Sequence, residues 1–113
     1  MSTLYKNTDR VKGSRYWLKS HGDDWIERAL MKELMDYRAT LINAHNPLSL
    51  DNPYRTTNLA RTLKIHASAL SSWSTCRQFP KSFASWRRLC QALGLRFEIV
   101  VKDRKGNVLF SGL

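Results

Sequence analysis

The helical pattern of NLARTLKIHASALSSWS, residues 58–74, breaks in its middle. Apolar residues recur at the three- and four-residue steps of a helix face from Leu59 to Leu63, and again from Leu70 to Trp73. Lys64 and Ile65 lie between the two groups and put them out of phase. Neither one continuous helix nor a strand fits this spacing. The pattern therefore predicts two short helices separated by a tight turn.

These two helices have the features of a helix-turn-helix. The first begins where Thr56 or Thr57 can cap it and runs to the break. The second runs from about Ala67 to Trp73. Ala60 is small enough for two steeply crossing helices to approach closely, and this is the packing that a helix-turn-helix needs.

Longer helices are predicted on both sides of the pair. Asp24 can cap an amphipathic helix that reaches Ala44 and ends before an Asn-Pro step. Its apolar stripe includes Ile26, Leu34 and Tyr37. The segment 46–55, NPLSLDNPYR, contains two Asn-Pro steps and is predicted to be a loop. A last helix is predicted from Lys81 or Ser82 to Leu93.

Beyond Gly94, a helix-ending residue, the apolar period changes to two, which is typical of a strand. Apolar and other residues alternate over 97–101, and DRKGN at 103–107 has the composition of a turn. Residues 108–110 are predicted to form the second strand of a hairpin. The predicted fold class is mainly α with a C-terminal β-hairpin. The predicted organisation is a flexible basic N-terminal arm at 1–22, a helical domain at 23–94, and a hairpin at 95–113.

Positive charge is concentrated in one part of the chain. The net charge of the 113 residues is +10. No Asp or Glu occurs between Asn52 and Phe97, although this stretch contains many Arg and Lys residues. A field of one sign over one region favours a polyanionic partner, since surfaces without a binding role usually mix both signs.

Several other classes of protein are not favoured. No apolar run approaches the roughly 20 residues of a membrane span, and the N-terminus has no apolar core of a secretory signal. We therefore expect a cytoplasmic protein in which Cys76 and Cys90 are reduced thiols. The scattered histidines predict neither a metal site nor another cofactor. Since no nucleophile stands in a recognisable pattern with a base and an acid, we expect no enzymatic activity.

The stretch from Thr56 to Gly94 resembles the helix-turn-helix domain of the phage Cro and repressor family, the xenobiotic-response-element type. The matching pieces are LARTLKI for the first helix and turn, ASALSSW for the recognition helix, and PKSFASWRRLCQALGL for the closing helix. A strand directly after ALGL looks most like the antitoxins of toxin–antitoxin operons. The resemblance implies a lambda-repressor-like bundle, encoded by a bacterium or phage and associated with the nucleoid. Lys64 stands where the family usually has a glycine.

The resemblance and the charge together predict a face that binds double-stranded DNA. Small side chains on the second short helix would enter the major groove, and hydroxyls and cations around it would meet phosphates. The recognition helix contains no Arg, Gln or Asn, the side chains that make bidentate base contacts. The predicted DNA-binding residues are Thr56, Thr57, Arg61, Lys64, His66, Ala67, Ser68, Ser71, Ser72, Thr75, Arg77 and Lys81.

The hairpin is predicted to pair two subunits. Val100 is an apolar residue on the face of the hairpin that should contact solvent. The second strand, residues 108–110, also has apolar residues on both faces, so that one apolar face is not covered by the domain itself. The predicted dimerisation residues are Phe97, Ile99, Val100, Val101, Val108 and Phe110.

The leading hypothesis is a dimeric, sequence-specific transcriptional regulator of the repressor or antitoxin type. One alternative is a DNA-architectural or recombination accessory factor, which would depend on phosphates and DNA shape. Another is a protein-interaction module that neutralises a toxin. Salt separates the classes, because binding to DNA weakens steeply with ionic strength.

Overall fold

A computed structural model of the chain describes residues 23–112, and the N-terminal arm predicted at 1–22 lies outside them. The chain divides between Leu30 and Met31 into two units, and the first helix has residues in both. The prediction of a mainly helical chain ending in a hairpin is confirmed. The elements are α1 (Trp25–Ala44), α2 (Thr56–Leu63), α3 (Ala67–Ser74), α4 (Phe83–Ala92), β1 (Ile99–Lys102) and β2 (Val108–Gly112).

Helix α1 has the predicted bounds but buries only part of the predicted stripe. Ile26 and Tyr37, predicted to face the core, are 53% and 40% exposed. Leu34 is buried as predicted, together with Met31 and Arg38. The prediction missed Arg38 because a pattern of apolar residues gives no weight to an arginine. Arg38 lies at a helical step from Leu34 and is buried through its hydrogen bonds.

The turn between α2 and α3 depends on a left-handed residue. Lys64 has φ 58° and ψ 44°, a conformation that glycine adopts most easily. The Lys64 N–H donates to the Arg61 carbonyl at 3.1 Å, and the Ile65 N–H donates to the Ala60 carbonyl at 3.0 Å. These two bonds form a Schellman motif, which satisfies the last carbonyls of α2 and reverses the chain. The change of phase in the apolar pattern at Lys64 and Ile65 results from this motif.

Helix α2 packs against both α3 and α4. Burial of apolar side chains drives this packing, and their spacing on each helix follows the steps seen in the sequence. Ala60 is 2% exposed, in agreement with the need for a small residue there. The core residues are Met31, Leu34, Leu59, Ala60, Leu63, Leu70, Trp86, Leu89, Cys90 and Leu93.

Helices α3 and α4 also end in left-handed residues. Cys76, after α3, has φ 59°, and Gly94, after α4, has φ 77°. In each case an N–H one residue further on bonds back into the last turn, from Arg77 to the Ser72 carbonyl and from Leu95 to the Cys90 carbonyl. Both cysteines are free thiols, and burial raises the pKa of Cys90.

Strands β1 and β2 form an antiparallel hairpin with an irregular register. Val101 pairs with Phe110 and Lys102 pairs with Val108, which leaves Leu109 as the extra residue of a bulge. The turn is held by Asp103, whose carboxylate accepts the N–H groups of Lys105 and Asn107, each at 2.9 Å. A further bond from the Asn107 side chain contributes most to lowering the pKa of Asp103. The predicted turn at 103–107 is confirmed.

The strain at Lys64 can be relieved by substitution. We expect Lys64→Gly to raise the free energy of unfolding by about 1 kcal/mol, because glycine has no Cβ to clash in the left-handed region. Lys64→Ala is the matched control, since it removes the same charge but keeps a Cβ, and it should give no such gain. Chemical denaturation of the three proteins measures the difference. Equal stability of the two variants would mean that the charge of Lys64, not its backbone, sets the effect.

Candidate nucleic-acid interface

The residues predicted to bind DNA lie at the outer surface of α2, α3 and the segments that flank them. Among these residues, Thr56 and Ser72 are half-buried and the others are exposed. Ser72 is therefore less accessible than Ser68 and Ser71, which precede it on the same helix. The predicted DNA-binding residues are thus accessible at the surface, although Ser72 is partly buried.

The outer side of α3 carries only small side chains. Ala67, Ser68, Ser71 and Thr75 are exposed, whereas Leu70 on the inner side is fully buried. The Thr75 hydroxyl bonds to the Ser71 carbonyl at 3.1 Å, so that it stays close to the helix. An exposed helix face without long side chains allows another molecule to come close to the backbone.

Helices α2 and α3 begin without a capping side chain. Their N-cap residues, Arg55 and His66, make no side-chain bond to the helix, whereas Ser82 caps α4 by accepting the Ser85 N–H at 3.2 Å. Within residues 23–112, the N–H groups of Thr56 and Thr57 have no protein acceptor. Such amides, together with the helix dipole, favour an anion.

A buried guanidinium lies behind the start of α2. Arg38 is 9% exposed, and its Nε donates to the Tyr54 carbonyl at 2.7 Å. Its Nη2 donates to Thr56 Oγ1 at 3.1 Å, which leaves the threonine hydroxyl hydrogen available for an outer acceptor. Desolvation by burial lowers the pKa of Arg38, and in the described part of the chain its donors bond to no carboxylate. Its positive charge therefore adds to the field at the helix start.

Exposed cations precede and follow α3 in the chain. Arg61 is on α2, Lys64 is in the turn before α3, and Arg77 and Lys81 follow α3. None of these four forms an ion pair with a carboxylate of residues 23–112, because the acids lie outside this block of sequence. The arrangement is an uncompensated positive surface around two uncapped helix ends.

The loop 46–55 is ordered by side chains, which the sequence analysis did not foresee. Asn52 is 3% exposed, and its Nδ2 donates to the carbonyls of Ile42 and His45 at 3.0 and 2.9 Å. The Asn52 side chain thus provides hydrogen-bond donors for backbone carbonyls at the C-terminal end of α1. Asn58 Nδ2, on α2, donates to the carbonyls of Leu50 and Asn52, both at 2.8 Å. In the sequence, the two asparagines six residues apart are the feature that could have indicated an ordered loop. Their spacing, however, does not identify the backbone carbonyls to which they bond.

The hairpin carries exposed apolar side chains, as the dimer prediction requires. Val101 and Phe110 pair directly and so share a face, and they are 48% and 56% exposed. Ile99 lies on the same face and also lines a groove of about 150 Å³ next to Phe83 on α4. Phe97 lines that groove too, while Val100 and Val108, on the other face, are 46% and 55% exposed.

Other classes of site find no support in the described residues. Among residues 23–112, no group of three His, Cys, Asp or Glu side chains could hold a metal ion. No helix in this part of the chain is long and apolar enough to cross a bilayer.

No protein-family model matches the chain, and comparisons with curated proteins and with solved structures gave no match either.

Arg38 should be needed to hold the start of α2 in place. We expect Arg38→Met to lower the free energy of unfolding by about 2 kcal/mol, because the partly buried Tyr54 carbonyl and Thr56 hydroxyl lose their donor. Arg28→Met is the control: Arg28 forms an exposed ion pair with Asp24 at 3.1 Å, and its loss should cost less than about 1 kcal/mol. Thermal and denaturant unfolding compare the two. A cost for Arg38→Met no larger than for Arg28→Met would contradict this role.

Proposed function

We propose that this protein is a helix-turn-helix DNA-binding regulator of the Cro and repressor type, acting without catalysis in the cytoplasm. Helix α3 is the recognition helix, and its outer face enters the major groove of double-stranded DNA. The observation that carries the proposal is the combination of a small, exposed α3 face with exposed cations, free of ion pairs within the described residues, before and after this helix in the chain. Long side chains on α3 would hold the backbone away from the bases, whereas serine and alanine allow close approach.

Backbone phosphates are the natural ligands of the two uncapped helix ends. The N–H groups of Thr56 and Thr57 at the start of α2 have no acceptor in the described residues, and Arg38 donates to the Thr56 hydroxyl. Arg61 and Arg77 add charges that can pair with phosphates of the same duplex. These contacts fix the position of α3 in the groove and supply most of the affinity.

Base reading by this surface is modest and DNA shape contributes. On α3, Ser68 and Ser71 can bond to base edges, and Ala67 can contact a thymine methyl group. No exposed side chain of α3 is of a type that makes bidentate contacts to guanine or adenine. This observation favours, as the second candidate, an architectural DNA-binding protein that recognises deformability more than sequence.

The active form in this proposal is a homodimer joined through the hairpin. A two-stranded hairpin is marginal by itself in water, and its exposed Val101 and Phe110 need cover. Strand β2 contains neither a charged residue nor a proline that would block pairing at its edge. A second subunit supplies the cover and gives a two-fold complex suited to half-sites about one helical turn apart.

The proposed phosphate contacts can be counted by salt dependence. We expect Arg61→Ala and Arg77→Ala each to weaken binding to every duplex similarly and to reduce the slope of log K against log salt by about 0.9. Arg104→Ala, a change of the same charge in the hairpin turn, is the control and should leave the slope unchanged. Fluorescence anisotropy with a duplex selected from a random pool, and with a scrambled duplex, gives both values. Unchanged slopes for Arg61→Ala and Arg77→Ala would remove this surface from the DNA interface.

The dimer should depend on the Phe110 face. We expect the intact protein to sediment as a dimer at micromolar concentration and Phe110→Glu to sediment as a monomer, because a carboxylate cannot be buried against the partner without a large cost. Ser111→Glu introduces the same charge on the opposite face and serves as the control. The monomer should also bind selected DNA more weakly. If the intact protein is itself a monomer with full affinity, the hairpin has another role.

A further inference from the structure

The two most exposed large apolar side chains of the described residues lie in one loop. Leu48 is 87% exposed and Leu50 is 80% exposed, and both belong to the segment 46–55 between α1 and α2. Single exposed leucines are common on protein surfaces. Two of them at alternate positions of a short loop form a projecting apolar pair, and the question is what holds them outward.

Hydrogen bonds fix the successive turns of this loop. The Leu48 N–H donates to Asn46 Oδ1 at 3.3 Å, and the Ser49 carbonyl accepts from Arg55 Nη1 at 3.1 Å. The Leu50 carbonyl accepts from Asn58 Nδ2 at 2.8 Å. Backbone bonds at or beside each leucine order this part of the loop, in which both leucine side chains are exposed.

The same bonds place the leucines beside the proposed phosphate contacts. Asn58, which holds the Leu50 carbonyl, accepts through its Oδ1 from Arg61 Nη1 at 3.2 Å. Arg55, which holds the Ser49 carbonyl, is the residue directly before α2. The segment that carries the leucines is thus hydrogen-bonded to Arg55, directly before α2, and to Asn58 in its first turn, which also bonds to Arg61. An anionic partner bound at these arginines would meet the leucines at the same time.

We infer that Leu48 and Leu50 form an apolar wedge that enters the minor groove, partly unstacks a base step and bends the duplex. The inference rests on the proposed function, which puts α3 in the major groove and the start of α2 on a phosphate strand. That strand separates the two grooves, so that a loop attached to the first turn of α2 meets the minor groove beside it. Leucine is among the side chains that proteins insert between base steps, with kinks of about 20–90°.

DNA fits this surface better than a protein partner does. A protein that covered the leucines would also have to neutralise Arg55 and Arg61, which the phosphates of a duplex do without further adaptation. Asp51, the acid of the loop, lines a separate cavity of about 250 Å³ together with His45 and Pro53, and neither leucine lines it. A bend also supplies specificity that α3 lacks, because pyrimidine–purine steps kink more easily than others.

The experiment measures binding and bending separately. The probe is a duplex recovered by the protein from a random-sequence pool, labelled at both ends for energy transfer and carrying 2-aminopurine at candidate steps. The variants are Leu50→Gln and Leu48→Gln with Leu50→Gln, which keep side-chain size but not apolarity. Leu50→Met is the matched control because it keeps an apolar wedge, and Phe83→Gln removes an exposed apolar side chain from α4.

The expected result is that the intact protein, Leu50→Met and Phe83→Gln shorten the end-to-end distance and raise 2-aminopurine fluorescence. The doubly substituted protein should bind with affinity reduced less than about tenfold but leave the duplex straight and stacked. Binding by the intact protein without any bend, or an equal bend by the doubly substituted protein, would overturn the wedge and leave the proposed function standing. Failure of the intact protein to bind any duplex would overturn both. Loss of dimer formation in the leucine variants, with the bend retained, would assign the leucines to a protein contact and also overturn the wedge.

Discussion

The guanidinium of Arg38 organises the start of α2 and the loop before it, on which the proposed phosphate contacts and the proposed wedge depend. It joins α1 to the Tyr54 carbonyl and to the Thr56 hydroxyl, so that a residue of the first helix sets both the end of the loop and the start of α2. Asn52 and Asn58 continue this network along the loop. A buried charge without a carboxylate is costly, and here carbonyl and hydroxyl acceptors offset part of that cost. Because no carboxylate of the described residues pairs with Arg38, its positive charge contributes to the electrostatic potential at the start of α2.

The elements of the fold could be predicted because their causes are local. Helix-breaking Asn-Pro steps, the period change after Gly94 and the DRKGN turn all act within a few residues, and each is found where the sequence indicated. The phase break at Lys64 was also readable, since a left-handed residue shifts the helical repeat in a fixed way. Local propensity and tertiary packing agree in these places, so that sequence patterns are sufficient.

The candidate site was only partly predictable, for a different physical reason. Its charge and its small residues are visible in the sequence, but the contacts that order the loop join residues such as Arg38 and Thr56, which are far apart in the chain. A polar side chain becomes buried when it finds acceptors, and no apolar periodicity records that event. For this reason the inward stripe of α1 was placed through Tyr37 rather than through Arg38. The uncapped start of α2 was likewise not visible, because Thr56 and Thr57 are good capping residues by type, whereas the N-cap position is occupied by Arg55.

The irregular hairpin also affects how such a molecule responds to its own abundance. Within residues 23–112, strands β1 and β2 pair only with each other, and several of their apolar side chains are exposed. Any partner that covers them, a second copy included, stabilises the ordered strands by mass action. If a second copy covers them, as in the proposed dimer, order in the C-terminal segment would increase with protein concentration. Gene dosage would then set the folding state of one segment of the protein.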